Sequence, residues 1–193
     1  MGLILASASP RRHRLLTEWG VPHRIVPSRI PEPAPRGTAP IPYARRLALA
    51  KALAVAKRGQ TSSGVWVLGA DTIVVVGRRI LGKPRGLADA ERMLRALSGT
   101  THRVITAVAL VAVRPKQGRR TTAWVRHVVS RVTMRRLTPA EITHYARRHR
   151  DKAGGYAIQD SGESVVETIK GSYTNVVGLP MEVLKKLLIS LPK

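Results

Sequence analysis

Cysteine and phenylalanine are both absent, and tryptophan and tyrosine alone bring the aromatic share to only 4% of 193 residues. Without cysteine there is no disulfide, no thiolate zinc site and no cysteine nucleophile. The scarcity of aromatics removes the stacking platforms on which single-stranded nucleic acid is held. Carboxylates are few as well, 11 Asp and Glu against 34 Lys and Arg, which makes the search for a general base or a metal ligand short. Long apolar runs are also missing. The longest, Ala107 to Val113, falls far below the roughly 18 residues of a membrane helix. The apolar start Met1-Gly2-Leu3-Ile4-Leu5-Ala6 is too short for the core of an export signal and has no basic flank before it. A soluble, cytoplasmic protein that engages no membrane is expected.

What remains is an ordinary globular composition, with 44% hydrophobic residues. A chain of this length fits one domain, 1–193, able to bury a sizeable core. The net charge of +23 attracts polyanions, nucleotides and nucleic acids alike. The basic residues are spread along the chain, however, so a general bias toward arginine accounts for the charge equally well.

The punctuation is that of alternating strands and helices. Leu3 to Ala6 reads as a strand, Pro10 to Trp19 as a helix closed by Gly20, and His23 to Pro27 as a second strand. Arg29 to Pro42 carries five prolines and Gly37 and reads as a long loop. Tyr43 to Arg58 is an Ala- and Leu-rich helix. Val65 to Ala70 and Thr72 to Val76 are β-branched strands interrupted by Asp71. Leu87 to Leu97 has helical spacing, and His102 to Val113 is a strand paired as a hairpin with Val125 to Met134. Thr138-Pro139-Ala140-Glu141 is a capping box that opens a helix to about Arg148. Ser164 to Ile169 is a further strand and Pro180 to Leu188 the closing helix. The order predicts an α/β fold around a mixed sheet.

The first candidate for chemistry is Ser7-Ala8-Ser9-Pro10-Arg11-Arg12, between a strand and a helix. Ser9 suits the N-cap and Pro10 the first helical position, where a missing N–H costs nothing. Free N–H groups, hydroxyls and guanidiniums gathered there suit a phosphate. A capped helix with solvated arginines is the alternative. Asp71 stands out among the carboxylates because it interrupts an apolar stretch, where an ionised side chain is costly unless it meets a metal, a cation or a site. The alternative is an aspartate capping a tight turn. Glu32 is a rare acid in the proline-rich loop, and Lys83 is held between Gly82 and Pro84. Taken alone, Glu32 reads as loop decoration and Lys83 as a solvated side chain. His102 has no second histidine at metal spacing and reads as an edge or capping residue. Ser98 has no histidine and acid in a recognisable nucleophile motif, which argues against a serine hydrolase, and no GxxxxGK[ST] loop is present, so a P-loop enzyme is excluded.

Five ordered blocks, taken together, resemble the Maf-like nucleotide pyrophosphatases over nearly the whole chain. They are LILASASPRR at Leu3 to Arg12, GADT at Gly69 to Thr72 with LGKP at Leu81 to Pro84, LSGTTHRVITAV at Leu97 to Val108, DKAGGYAIQ at Asp151 to Gln159, and GSYTNVVGLP at Gly171 to Pro180. The resemblance implies a mixed, elongated sheet flanked by helices in two lobes, related to the inosine triphosphate pyrophosphatases, with a nucleotide in the central cleft. It implies hydrolysis of nucleoside triphosphates to the monophosphate and pyrophosphate, a divalent cation (Mg²⁺, or else Mn²⁺) and a homodimer. Position by position, it implies Asp71 as proton acceptor and Glu32 and Asp71 as metal ligands. Ser7, Arg12, Lys51 and Lys83 would line the phosphate site, and Arg11, Thr72 and Gln159 would choose the base.

Within that family, Asp151-Lys152-Ala153-Gly154 followed by Tyr156 and Gln159 resembles the branch acting on dTTP and UTP. The alternative branch acts on 7-methyl-GTP. Asp160, where the branch usually has glycine, and the basic Arg148-His149-Arg150 depart from the pattern. From another class, a basic nucleic-acid-binding module would account for the charge and the Arg147 to Arg150 run. It lacks a helix-turn-helix, zinc or RNA-binding motif, so only nonspecific binding is expected.

Overall fold

The computed structural model describes residues 2–35, 37–58, 64–113, 122–148, 153–156 and 165–191. Along the chain these form β1 (Gly2–Leu5), α1 (Pro10–Glu18), β2 (Arg24–Ile25), α2 (Pro40–Ala56), β3 (Val65–Val76), β4 (Arg79–Leu81) and α3 (Leu87–Leu97). There follow β5 (Thr101–Ala112), β6 (Ala123–Met134), α4 (Pro139–Arg148), β7 (Val166–Lys170), α5 (Tyr173–Val177) and α6 (Met181–Ile189). The strands make one seven-stranded sheet in the order β2-β1-β3-β5-β6-β7, with β4 also paired to β3. β1 is parallel to β2 and to β3, whereas β4 on β3 and β7 on β6 are antiparallel, so the mixed α/β fold expected from the sequence is the one found.

The chain divides into two compact units. The first comprises Met1–Asp71, Thr106–Val128 and Gly178–Lys193, and the second Thr72–Ile105 and Val129–Val177. In the first unit β1 is buried from Leu3 onward and pairs with β3 from Gly2↔Val65 to Leu5↔Leu68. α2 turns Tyr43, Ala44, Leu47, Ala48, Lys51, Ala52 and Val55 inward, the three- and four-residue spacing of one helix face. Along that face the small side chains Ala48 and Ala52 meet β3 at Gly69. A Cβ on Gly69 would lie 2.1 Å from the Ala48 carbonyl oxygen, so only glycine lets helix and strand approach this closely.

The second unit has its own core, which includes Val74, Leu81, Leu94, Leu97, Val104, Met134, Tyr145 and Tyr156. The capping box at α4 is formed as the sequence predicts. The Thr138 N–H donates to Glu141 Oε2 at 2.7 Å and the Glu141 N–H to Thr138 Oγ1 at 3.3 Å. The Arg135 guanidinium, followed by the Thr138 N–H and hydroxyl that both donate to Oε2, holds the Glu141 carboxyl down at about 2.

Several local expectations change. α2 begins at Pro40, so two prolines assigned to the loop lie in the first helical turn, where backbone N–H groups have no helical acceptor and proline is tolerated. β3 runs unbroken through Asp71, which excludes the turn reading of that residue. β2 is reduced to two residues, and α5 is a short helix that the sequence reading leaves out. The hairpin of β5 and β6 is present. The Ala112 N–H donates to Thr122 and the Met134 N–H to Thr100, at 3.0 Å each, which sets the two strands antiparallel. No helix among the described residues is long and apolar enough to cross a membrane.

Candidate active site

The turn from β1 into α1 builds the first part of the site. Pro10 occupies the start of α1 as expected and Ser9 the cap position, but the Ser9 side chain makes no capping hydrogen bond. Ser7, which is buried, takes that role in part, because its Oγ accepts from the Ser9 N–H at 3.2 Å and from Arg12 Nη1 at 3.0 Å. With both lone pairs engaged, the hydroxyl has only its proton left to give. Arg12 is also fixed at its other face, where Nε donates to the Gly178 carbonyl at 2.8 Å. Burial lowers the Arg12 pKa; the Asp71 charge opposes this, Arg11 adds to it and Glu32 opposes it. An arginine stays charged throughout such shifts.

Asp71 is 4% exposed within β3, two residues beyond Gly69 and therefore on the same face of the strand. The close approach at Gly69 brings Lys51, itself 8% exposed, onto this carboxylate. Lys51 Nζ lies 2.7 Å from Asp71 Oδ1 and 2.7 Å from Glu32 Oε1. A buried ammonium is thus neutralised by two carboxylates, one deep in the sheet and one on the loop. The other Asp71 oxygen, Oδ2, is buried without a hydrogen-bond partner. A buried polar oxygen left so is expensive, and it calls for an explanation.

The loop carrying Glu32 is tied to α2 on both sides. Tyr43, in the first turns of α2, donates its hydroxyl to the Pro33 carbonyl at 2.8 Å, one residue past Glu32. Near the other end of α2, the Arg58 guanidinium donates to the Pro27 carbonyl at 2.8 Å and also bonds the Ser28 carbonyl. Burial raises the Tyr43 hydroxyl above its ordinary value, and Asp71 and Glu32 add to this against Arg46, so it remains a neutral donor. Sequence reasoning missed Tyr43. Its signal was a single aromatic on the inward face of an alanine-rich helix, and core packing explained that equally well.

Of the residues singled out in the sequence, Ser7, Arg12, Glu32, Lys51 and Asp71 come together in the first unit through direct bonds or mutual charge. Arg11 belongs to the same group through its charge on Arg12. Thr72, next after Asp71, and Lys83, on the turn that follows β4, belong to the second unit. Gln159, Asp151, Lys152, Asp160 and Arg150 lie outside the described residues. His102, expected at an edge, is instead 2% exposed, because Tyr156 gives its ring nitrogen a partner inside the second core.

Among the described residues no group of three or more histidine, aspartate and glutamate side chains is assembled as a metal cage. Glu32 and Asp71 nevertheless fit a hard divalent cation, since Mg²⁺ is commonly held by one or two carboxylates with the remaining positions filled by water and substrate phosphates. The unpartnered Asp71 Oδ2 is the observation that supports this fit.

A helix N-terminus, a fixed guanidinium and a serine hydroxyl gathered with a buried carboxylate in an α/β sheet make a setting suited to a phosphorylated ligand. The family follows from comparison with known proteins. Residues 2–191 match the family of Maf-like proteins, and the chain belongs to that family. It is 48% identical over 191 residues to the dTTP/UTP pyrophosphatase of Thermomicrobium roseum, covering 97% of this chain and 83% of that protein. It is 49% identical over 189 residues to the dTTP/UTP pyrophosphatase of Moorella thermoacetica, covering 96% and 93%. Among solved structures, a HAM1 protein from Coxiella burnetii shares the fold, with a TM-score of 0.53, 17% identity and coverage of 99% and 100%.

Proposed function

We propose that this chain hydrolyses nucleoside triphosphates, dTTP and UTP among them, to the nucleoside monophosphate and pyrophosphate. The observation that carries the chemistry is Asp71, a buried carboxylate held by Lys51 at 2.7 Å with one oxygen lacking a partner. The family membership and the named relatives supply the reaction to which that geometry is applied.

In this reading Asp71 takes a proton from water as the water oxygen bonds to the α-phosphorus. The bond from that phosphorus to the oxygen bridging the α- and β-phosphates breaks, and its electron pair leaves with pyrophosphate. The Ser7 hydroxyl donates a hydrogen bond to a phosphate oxygen, while Arg12 and Lys83 offset the charge that builds on the leaving group. Lys51 holds Asp71 and Glu32 in place through its two ion pairs. Held by Glu32 and Asp71, Mg²⁺ or Mn²⁺ would supply further neutralisation of the polyphosphate. Arg11, Thr72 and Gln159 are assigned to base choice, and the working form is assigned as a cytoplasmic homodimer.

The test is a panel of canonical and modified triphosphates, 7-methyl-GTP included, incubated with protein and Mg²⁺ while pyrophosphate and phosphate are measured separately. Pyrophosphate is expected as the primary product, with dTTP and UTP turned over fastest. Phosphate as the primary product would overturn the reaction class, and a preference for 7-methyl-GTP would overturn the pyrimidine assignment alone.

A further inference from the structure

The second unit contains a buried polar pair that the reaction does not use. His102, the second residue of β5, has Nε2 2.6 Å from the Tyr156 hydroxyl, and the two rings meet edge to face with centroids 5.4 Å apart. Its other ring nitrogen, Nδ1, is buried without a hydrogen-bond partner. An unpaired buried polar atom costs on the order of 1–3 kcal/mol, and a leucine would fill the same space without it. Packing therefore does not explain a histidine here, but its bond to Tyr156 does.

Tyr156 closes the tight turn Ala153–Gly155, which is itself strictly shaped. Gly154 and Gly155 both have φ of 73°, and a Cβ on Gly154 would press Val74 at 3.1 Å and Leu97 at 3.3 Å. From this turn the Gly154 N–H donates to the Gly82 carbonyl at 3.0 Å. Gly82 directly follows Leu81, which is buried and paired with Val74 in the sheet. The backbone from which Lys83 departs is thus gripped by the sheet on one side and by the glycine turn on the other.

We infer that His102 is a positioning residue for Lys83, acting through Tyr156 and the Gly154 to Gly82 hydrogen bond. The inference rests on the reading of Lys83 as a phosphate contact. Loosening the Tyr156 anchor frees the turn, the turn releases Gly82, and the lysine ammonium loses its aim at the triphosphate. Misplacements of that kind cost on the order of 10- to 100-fold in turnover even when no contact to substrate is removed.

The experiment compares His102→Leu, His102→Gln, Tyr156→Phe, Lys83→Ala and the double variant His102→Leu/Lys83→Ala. Each full-length protein is assayed at saturating Mg²⁺ for kcat, KM and inhibition by inorganic pyrophosphate, alongside a thermal melt. His102→Leu and Tyr156→Phe are expected to raise KM and weaken pyrophosphate inhibition, lowering kcat/KM by about tenfold or more. His102→Gln, whose amide can both donate and accept toward the same hydroxyl, retains most of kcat/KM. In the Lys83→Ala background His102→Leu adds little, because the residue it positions is already gone. Repetition of the full loss in that background overturns the inference, as do wild-type kinetics in Tyr156→Phe. Should His102→Leu fail to fold, Tyr156→Phe with Lys83→Ala carries the same comparison. An unchanged kcat/KM in Lys83→Ala alone would instead overturn the reading of Lys83, and it is recognised without reference to His102.

Discussion

Asp71 and His102 are both buried polar residues with one atom left unpartnered, yet their surroundings commit them to different work. Around Asp71 stand Lys51, Arg12 and Glu32, a setting for a charged ligand. Asp71→Asn keeps the size of the side chain but gives up the oxygen that takes a proton, so kcat should fall by about 10² to 10⁴ while the protein stays folded in a thermal melt. Retention of more than about a tenth of turnover would move the base elsewhere, with Glu32 next in line. Glu32→Gln should cost less and recover in part when Mg²⁺ is raised, since in the reaction its carboxylate is assigned to the cation and not to the proton. Among the described residues His102 finds its partner in Tyr156, and burial pushes the imidazole down from 6.5 to about 4. Between those values the unfolded chain binds a proton that the folded chain refuses, so this contribution to stability is complete above about pH 6.5 and is lost as pH falls toward 4. On the order of 3 kcal/mol is involved, and unfolding titrations from pH 7 to 4 should show His102→Gln losing less stability over that range than the parent. His127, also lowered by burial and by Arg45, contributes in the same direction to both proteins and cancels in the comparison. Equal acid losses in the two would mean that His102 is protonated without penalty.

The site depends on how α2 lies against β3, and the contact that decides this is Gly69. A methyl group there meets backbone, not a flexible side chain, so Gly69→Ala should destabilise by about 3 kcal/mol or more and shift Lys51 off Asp71. Gly82 has ordinary φ and open space where its Cβ would be, so Gly82→Ala should change stability by no more than about 0.5 kcal/mol. Denaturant midpoints of the two variants check the contrast, and similar losses would mean that glycine at position 69 serves something other than close packing. Which elements were legible in sequence follows the same logic of contacts. α3, with its buried Ala90, Leu94 and Leu97, and α4, with its capping box, carry their signals within one or two turns of helix, and both are readable. The start of α2 was not, because Pro40 and Pro42 look like loop residues until the first turn is seen to need no N–H acceptors. Asp71 looked like a break in two strands because a lone sequence cannot show the ammonium that makes a carboxylate tolerable inside one. The helix α5 was passed over although Ser172 gives a cap signal, its Oγ accepting the Asn175 N–H at 3.0 Å.

For the molecule as a whole, the charge of +23 will draw it to any polyphosphate, DNA included. Because that attraction rests on displaced counterions, binding to random DNA should weaken by orders of magnitude between about 50 and 200 mM salt, as a filter-binding or anisotropy titration would show. Sequence-selective binding that survives the higher salt would instead assign a nucleic-acid role. The sequence by itself determined the broad class. The absence of cysteine, the alternation of strands and helices, the serine and proline opening α1, and five family-like blocks were enough for the mixed α/β fold and for the family to which the chain belongs. These features are local in the chain, so spacing and composition carry them. Only the tertiary structure decided that Lys51 lies between Glu32 and Asp71, that Tyr43 holds the Glu32 loop, that Gly178 orients Arg12 and that His102 grips Tyr156. Each of those pairings joins residues from about ten to more than a hundred positions apart. The free energy of a buried charge or hydrogen bond depends on what folding brings beside it, which no local pattern records.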